Sequence, residues 1–348
     1  MFLLLASAWA EDPPSADEID DFLAETSAPV APPPPSLANA LNPRLTAFGD
    51  ALVSVAGDGG SIDPRSGPWL RSFEADIRAD VDPYAKAVAV LAFEQEPPLE
   101  AEEAAGEEAH AAFAAVPEEV YVDFVGLPGG LGVRAGQFKL PFGITNKMHP
   151  HDYPWPTAPE AFVEALGEEG VSDIGALGSW RPSNPFGLGL TLQGAVLGGS
   201  TWDPHGETAT PAWFGRAELF YDFGRVDVGV GASSFGLGAD HVDGADLVLR
   251  YVPNTWRSVV LVGEAFRAGE QIGWTSTLQL QPARRLYLGG RLDGADAGLR
   301  YGGWLAFYTS EFLRIRAGAT TDGQEWLADG QLTFVWGAHP VEPYWVNR

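Results

Sequence analysis

The sequence predicts an all-β fold, a transmembrane antiparallel up-and-down β-barrel of about 16 strands. Apolar and polar residues alternate with a period of two through most of the chain after residue 43, which places apolar side chains on one face of each strand. The alternating segments span about 10 to 13 residues, enough for a tilted strand to cross a bilayer. No later stretch approaches about 18 consecutive apolar residues, so any membrane crossing has to be made by strands.

The N-terminus predicts export. The first ten residues, MFLLLASAWA, are apolar and end in Ala8, Trp9 and Ala10, the small-x-small pattern of a secretory cleavage site. We therefore expect a signal peptide over residues 1–10. Residues 11–42 are acidic and then proline-rich, a composition that cannot bury a core, so they are expected to form a periplasmic linker. The barrel is predicted over residues 43–348.

Composition excludes several classes of site and partner. The chain has no cysteine, which excludes disulfides and thiolate metal sites. Its net charge of −26 is concentrated, because 16 of the 47 acids lie in residues 11–42 and 94–119, which contain no Lys or Arg. The remainder has an ordinary mixture of charges, so nucleic acid is not an expected partner.

The clearest strand pattern lies at residues 72–81, where Phe73 and Ile77 belong to an apolar set that alternates with Glu74 and Asp76. Sixteen such segments are predicted to begin near residues 44, 69, 83, 118, 131, 173, 187, 212, 225, 244, 256, 271, 284, 297, 311 and 326. Tight turns follow the even-numbered segments, and longer polar connections follow the first odd-numbered ones. This alternation is typical of a barrel with short periplasmic turns, longer outer loops and both termini inside.

Aromatic residues near the predicted strand ends support a membrane barrel, because aromatic girdles lie at both membrane interfaces. They are Trp69, Tyr84, Trp180, Phe223, Tyr251, Trp256, Tyr308 and Trp336. A secreted soluble β-rich binding module would also show alternation, but its strands would usually be nearer about 5 to 6 residues. That alternative stays open at this point.

Residues 120–143, VYVDFVGLPGGLGVRAGQFKLPFG, and 166–180, LGEEGVSDIGALGSW, are similar to motifs of the phosphate-selective porin O and P family. The resemblance extends loosely from residue 43 to 345 and implies a 16-stranded trimeric porin. Anion-selective relatives line the pore with basic residues, whereas this chain has only three lysines, Lys86, Lys139 and Lys147. Phosphate selectivity is therefore not carried over. The chain ends on Arg348 instead of the family's terminal aromatic residue.

The polar faces of the strands predict a charged lumen, since a charge facing lipid would cost about 2 to 4 kcal/mol near the midplane. Charges of both signs in a water-filled lumen create a transverse field. Pairing of these charges as structural cross-strand ladders is the alternative. The predicted pore-lining residues are Glu74, Asp76, Arg78, Lys86, Asp123, Arg134, Arg216, Glu218, Asp246, Arg250, Glu264, Arg291, Arg314 and Arg316.

The longest connection, residues 141–172, is too long and too apolar for a simple surface turn. We expect it to fold inward and narrow the pore, with its acids facing Arg134 or other basic wall residues. These acids are Glu164, Glu168, Glu169 and Asp173. The alternative is that it packs on a neighbouring subunit or stays outside the barrel.

The expected function is passive diffusion of small polar or ionic solutes across the outer membrane of a Gram-negative bacterium. Expected partners are outer-membrane lipid, lipopolysaccharide and two further copies of the chain in a homotrimer. A barrel that anchors an enzyme or adhesin is the alternative. No catalytic motif, cofactor fingerprint or metal site is predicted, although the His149–His151–Asp152 cluster has metal-ligating side chains.

Overall fold

The computed structural model describes residues 43–95, 113–183, 186–200 and 211–337. The predicted signal peptide, the predicted linker, most of the acidic segment 94–119 and the C-terminal residues after 337 lie outside the described residues. Within these ranges the chain forms seventeen strands and one short α-helix, α1 (Glu160–Leu166). The strands are β1 (Arg44–Asp58), β2 (Ser61–Ile62), β3 (Gly67–Asp82), β4 (Ala85–Gln95), β5 (Phe113–Phe124), β6 (Leu131–Lys139), β7 (Ser172–Trp180), β8 (Gly189–Leu197), β9 (Ala212–Asp222), β10 (Val226–Leu237), β11 (Asp240–Asn254), β12 (Arg257–Ala268), β13 (Gln271–Ala283), β14 (Leu286–Ala295), β15 (Gly298–Ser310), β16 (Leu313–Thr321) and β17 (Glu325–Gly337).

The strands form a closed antiparallel barrel. Each long strand pairs with the next long strand along the chain, and β1 pairs with β17 from Thr46 opposite Gly337 to Asp58 opposite Glu325. The two-residue strand β2 only extends the hairpin at the end of β1. The barrel proper therefore has 16 strands, as the sequence predicts. No helix in the described ranges is long and apolar enough to cross a bilayer.

The predicted strand starts are confirmed to within a few residues. Most strands begin within three residues of the expected position, and the largest difference is at β5, which begins at Phe113 instead of residue 118. The connections on the periplasmic side stay short, whereas those on the outer side are long in the first half of the barrel and only two or three residues long after β10.

Alternating burial separates the two faces of the barrel wall. In β13, Thr275, Thr277 and Gln279 are buried, while Trp274 and Leu278, of the opposite phase, are exposed. Apolar side chains on the outside and polar side chains on the inside are the arrangement of a barrel in a bilayer. Of the predicted girdle, two residues differ. Tyr308 is buried and packs edge-on against Tyr287, so it faces inward. Trp69 also faces inward, because its Nε1 donates to the hydroxyl of buried Ser54.

The outward face of β13 provides a test of membrane depth. Leu278, 43% exposed near the middle of the strand, is expected to tolerate a charge poorly, so Leu278→Arg should lower the free energy of unfolding by about 2 to 4 kcal/mol. Ile272 lies at the outer end of the same strand, so Ile272→Arg should lower the free energy of unfolding by only about 0 to 1 kcal/mol. Urea unfolding in lipid vesicles measures both. Equal costs at the two positions would contradict the placement of the bilayer.

Candidate functional site

The connection between β6 and β7, residues 140–171, lies inside the barrel and is called here the lumen segment. Its apolar side chains, including Phe142, Ile144 and Trp155, are almost fully buried. Phe142 and Phe162 pack with Phe266 of the wall, and Trp155 packs edge-on against Trp304. The inward folding that the sequence predicts is therefore present, because the apolar residues of this segment pack against the interior of the wall instead of facing water.

Four wall arginines donate hydrogen bonds to backbone carbonyls of the lumen segment. Arg71 donates to the carbonyls of Pro150 at 3.0 Å and Pro156 at 2.6 Å. Arg291 donates to Thr157 at 2.6 Å. Arg314 and Arg316 of β16 donate to the carbonyls of His151 and Tyr153. An irregular buried backbone has no ladder partner for its carbonyls, and guanidinium groups supply several donors each, so these arginines allow the segment to be buried.

Glu264 of β12 accepts hydrogen bonds at the start of the segment. Its carboxylate accepts from the amide of Ile144 at 2.7 Å and from both the amide and the hydroxyl of Thr145. The amide of Gly143 donates to Ser233 Oγ at 3.2 Å. The Glu264 carboxylate thus supplies a hydrogen-bond acceptor to the buried amides of Ile144 and Thr145.

The side chain of Asn146 joins the two ends of the lumen segment. Its Nδ2 donates to the carbonyls of Leu140 at 2.8 Å and Val171 at 3.0 Å, and its Oδ1 accepts from the amide of Val171 at 2.7 Å. The segment therefore leaves and re-enters the wall at one point.

Gly143 provides a test of this geometry. Its φ is +58°, and a Cβ there would collide with the Glu264 carboxylate. Gly143→Ala should therefore loosen the segment, both through backbone strain at residue 143 and through this collision. Left-handed backbone alone costs about 1 to 2 kcal/mol. We expect tryptic cleavage after Lys147 in the folded barrel to be about tenfold faster. Gly269→Ala is the matched control, with φ +61° and open space around it. Equal cleavage rates in the two variants would contradict the contact.

A cluster of acids and imidazoles joins the wall of β3 and β5 to the segment; the acid–imidazole cluster comprises Glu74, Glu118, Glu119, His149 and His151. His151 Nδ1 lies 2.9 Å from Glu74 Oε1. His149 Nδ1 lies 2.5 Å from Glu118 Oε2 and 3.6 Å from Glu74 Oε2, while its Nε2 lies 3.5 Å from Glu119 Oε2.

Both histidines of the cluster favour the charged form. Burial opposes protonation of His149, but its close contacts with the carboxylates of Glu118 and Glu119 raise its pKa well above the ordinary histidine value. Burial also opposes protonation of His151, whose pKa is nevertheless raised by the charges of Asp152 and Glu74. The carboxylates at this position therefore attract a cation.

A β-bulge brings two consecutive glutamates to the inside. Pairing between β4 and β5 shifts between Val90 and Leu91, opposite Pro117–Glu119, and both Glu118 and Glu119 are buried. Regular alternation would send one of them outward. A second irregularity, between β1 and β3 at Asp50, turns the Arg71 side chain inward in the same way. Its guanidinium group hydrogen-bonds to the Asp50 carboxylate and to the lumen segment. Alternation therefore assigns Arg71 and Glu118 to the wrong face. Glu119 has the same phase as Asp123 and could have been included in the predicted pore-lining set.

The predicted pore-lining residues fall into two groups by solvent exposure. Eight are buried: Glu74, Asp76, Arg216, Asp246, Glu264, Arg291, Arg314 and Arg316. Six keep partial or full exposure: Arg78, Lys86, Asp123, Arg134, Glu218 and Arg250. Several of them form pairs, as the ladder alternative expects, including Arg134 with Asp123 at 2.7 Å and Arg216 with Asp246 at 2.6 Å.

The predicted acids of the segment do not approach Arg134, whose partner is Asp123. Glu164 accepts from the backbone amides of Asp296 and Ala297 in the outer turn between β14 and β15, and Glu168 and Glu169 are exposed. Asp173 is buried and accepts from Gly199 and Ser200. The prediction that these acids face basic wall residues is therefore corrected for Glu164 and Asp173. Glu169 lies beside Lys139 of β6, but it is the carbonyl of Glu169 that accepts from the ammonium group. The wall arginines bind backbone carbonyls instead.

Comparisons with known proteins agree with the fold. The chain is similar to the solved structures of Pseudomonas putida OprB (TM-score 0.59, 9% identity, covering 84% of this chain and 94% of that one) and an anion-selective porin from Comamonas acidovorans (TM-score 0.55, 14% identity, 84% and 99%). It is also similar to Salmonella typhi OmpF in complex with daunomycin (TM-score 0.55, 11% identity, 84% and 97%). At these identities the likeness shows a porin-type barrel fold.

At the level of sequence, no family model matches the chain. A stretch of 138 residues is 30% identical to an uncharacterized protein of Aquifex aeolicus (strain VF5). This match covers 39% of the chain and 26% of the relative.

Proposed function

We propose that this chain is an outer-membrane porin of a Gram-negative bacterium, through which small polar or ionic solutes diffuse passively past a constriction formed by the lumen segment. The observation that supports this most strongly is a closed 16-stranded barrel with a polar interior, into which one long connection folds. A barrel of this size leaves an aqueous channel unless its interior is filled.

Two cavities of the barrel are lined by charged side chains. A cavity of about 610 Å³ opens at the outer mouth and is lined in part by Asp58, Asp63 and Arg300. A second cavity, of about 60 Å³, lies beside Lys147 of the segment, next to Glu218 and Arg250. We propose that the exposed members of the predicted set, together with Lys147, meet the passing solute. Five of these side chains are basic and two are acidic, but each basic one is paired with a carboxylate, which fits a pore of weak charge preference.

Phosphate selectivity has little support in this arrangement. The wall arginines that could bind an oxyanion, Arg71, Arg314 and Arg316, donate to segment carbonyls. The resemblance to the phosphate-selective porin O and P family therefore extends to the barrel, and we do not extend it to the solute. A homotrimer and contact with lipopolysaccharide remain part of the proposal.

Single-channel recording of the refolded protein in planar bilayers, with reversal potentials under a KCl gradient, tests the function. Stable conductance steps with a weak ion preference are the expected result. A strong anion preference would restore a phosphate-type solute. A folded, heat-modifiable barrel without conductance steps would contradict the porin and favour a barrel that anchors an enzyme or adhesin.

A further inference from the structure

The three side chains of Glu74, Glu118 and His149 converge from β3, β5 and the lumen segment. One ligand atom from each lies within 4.8 Å of the corresponding atoms of the other two. Glu74 is 1% exposed, Glu118 is 7% exposed and the His149 side chain is 15% exposed. Bulk water therefore contributes little to their solvation.

Two of these groups lack a hydrogen bond among the described residues. Neither carboxylate oxygen of Glu118 nor Nδ1 of His149 makes a hydrogen bond of acceptable geometry, although Nδ1 and Oε2 are 2.5 Å apart. The two atoms meet at contact distance without the alignment that an N–H donor requires. A buried carboxylate without a well-aligned donor is costly to keep charged. Donor atoms directed at one point suit a shared cation.

The surrounding charges point to a cation of more than one charge. Glu118 also belongs to a second convergent group, with Glu94 of β4 and Glu169 of the lumen segment. The ammonium group of Lys139 donates to the carbonyl of Glu169 at 3.0 Å. The local balance is therefore strongly acidic.

We propose that Glu74, Glu118 and His149 form a binding site for a divalent transition-metal ion that fastens the lumen segment to the barrel wall. One imidazole with two carboxylates suits Zn²⁺ or a similar first-row ion, whereas Mg²⁺ and Ca²⁺ prefer all-oxygen sites. The bound ion takes the place of the proton that His149 carries without it, and that proton is released to solvent. His151 orients the site, since its Nδ1 bonds Glu74 Oε1 and leaves Oε2 facing His149. This site rests on the barrel geometry and does not depend on conduction.

The test is titration of the refolded full chain in detergent with Zn²⁺, by competition against a fluorescent chelator. We expect one Zn²⁺ per chain at micromolar affinity or tighter, since structural zinc sites bind strongly at neutral pH. Glu118→Gln and His149→Gln should each weaken binding at least about tenfold, as loss of a ligand or of its support does. His241→Gln, at the exposed outer end of β11, is the matched histidine control and should leave binding unchanged.

Heat-modifiable gel migration confirms that each variant is folded. X-ray absorption at the zinc edge should show one nitrogen and several oxygen ligands. Absent binding, or equal binding by the wild type, Glu118→Gln and His149→Gln, would overturn the site. A chain that binds Zn²⁺ at these residues but shows no conductance would keep the metal site and overturn only the porin.

Discussion

Replacing residues 147–166 with a short glycine-serine linker is expected to raise the single-channel conductance at least about threefold, because conductance depends on the cross-section that side chains leave open. The deletion removes the buried aromatics Tyr153 and Trp155 and the helix α1 from the lumen. It keeps Asn146, which already contacts Gly170 and Val171, so a short linker can join the ends.

The matched control inserts the same linker into the outer turn between β10 and β11, at residues 238–239, which lies outside the lumen segment. Its conductance should equal that of the unaltered chain. A folded deletion variant with unchanged conductance would show that the segment does not limit the pore.

The second large effect is expected at the arginines of β16. Arg314→Gln together with Arg316→Gln removes the donors to the carbonyls of His151 and Tyr153. A hydrogen bond to a charged group contributes about 1.5 to 3 kcal/mol. Loss of both should therefore shift the equilibrium between the docked and displaced segment at least about a hundredfold. Long openings of high conductance should become frequent in single-channel records.

Arg225→Gln, at the exposed periplasmic turn after β9, is the control for loss of a positive charge and should keep the wild-type record. Tryptic cleavage after Lys147 gives an independent measure, since Lys147 is largely buried in the docked segment. If the double variant is folded, conducts as the wild type does and resists trypsin equally, the arginine contacts do not hold the segment.

Most of the barrel could be predicted from the sequence, because a wall with lipid on one side and polar groups on the other imposes strict alternation. The largest difference between a predicted and an observed strand start is at β5. Its first residues, Phe113–Pro117, follow an alanine-rich and acidic run and do not alternate apolar and polar residues. They form a strand because they pair with β4, so their structure depends on the neighbouring strand as well as on their own sequence.

The site was predicted less completely, for two physical reasons. A bulge changes the side to which residues point, so alternation assigns Arg71 and one of Glu118 and Glu119 to the wrong face. The lumen segment is also held by its backbone carbonyls, which every residue has, and carbonyls leave no signal in the sequence. Matching of opposite charges therefore led to the prediction that Glu164 and Asp173 face basic wall residues. Their partners lie in outer connections.

The most direct test of the account is a disulfide between the lumen segment and the wall. A Cβ at Gly273 of β13 would lie 2.9 Å from that of Ala161 in α1, within reach of a disulfide after a small shift, and the chain has no other cysteine. We predict that Ala161→Cys with Gly273→Cys forms this bond in the folded barrel, seen by mass spectrometry of the linked peptides. The pair Glu168→Cys with Gly273→Cys should stay reduced. A folded barrel in which the first pair also stays reduced would contradict a segment that lies inside the lumen.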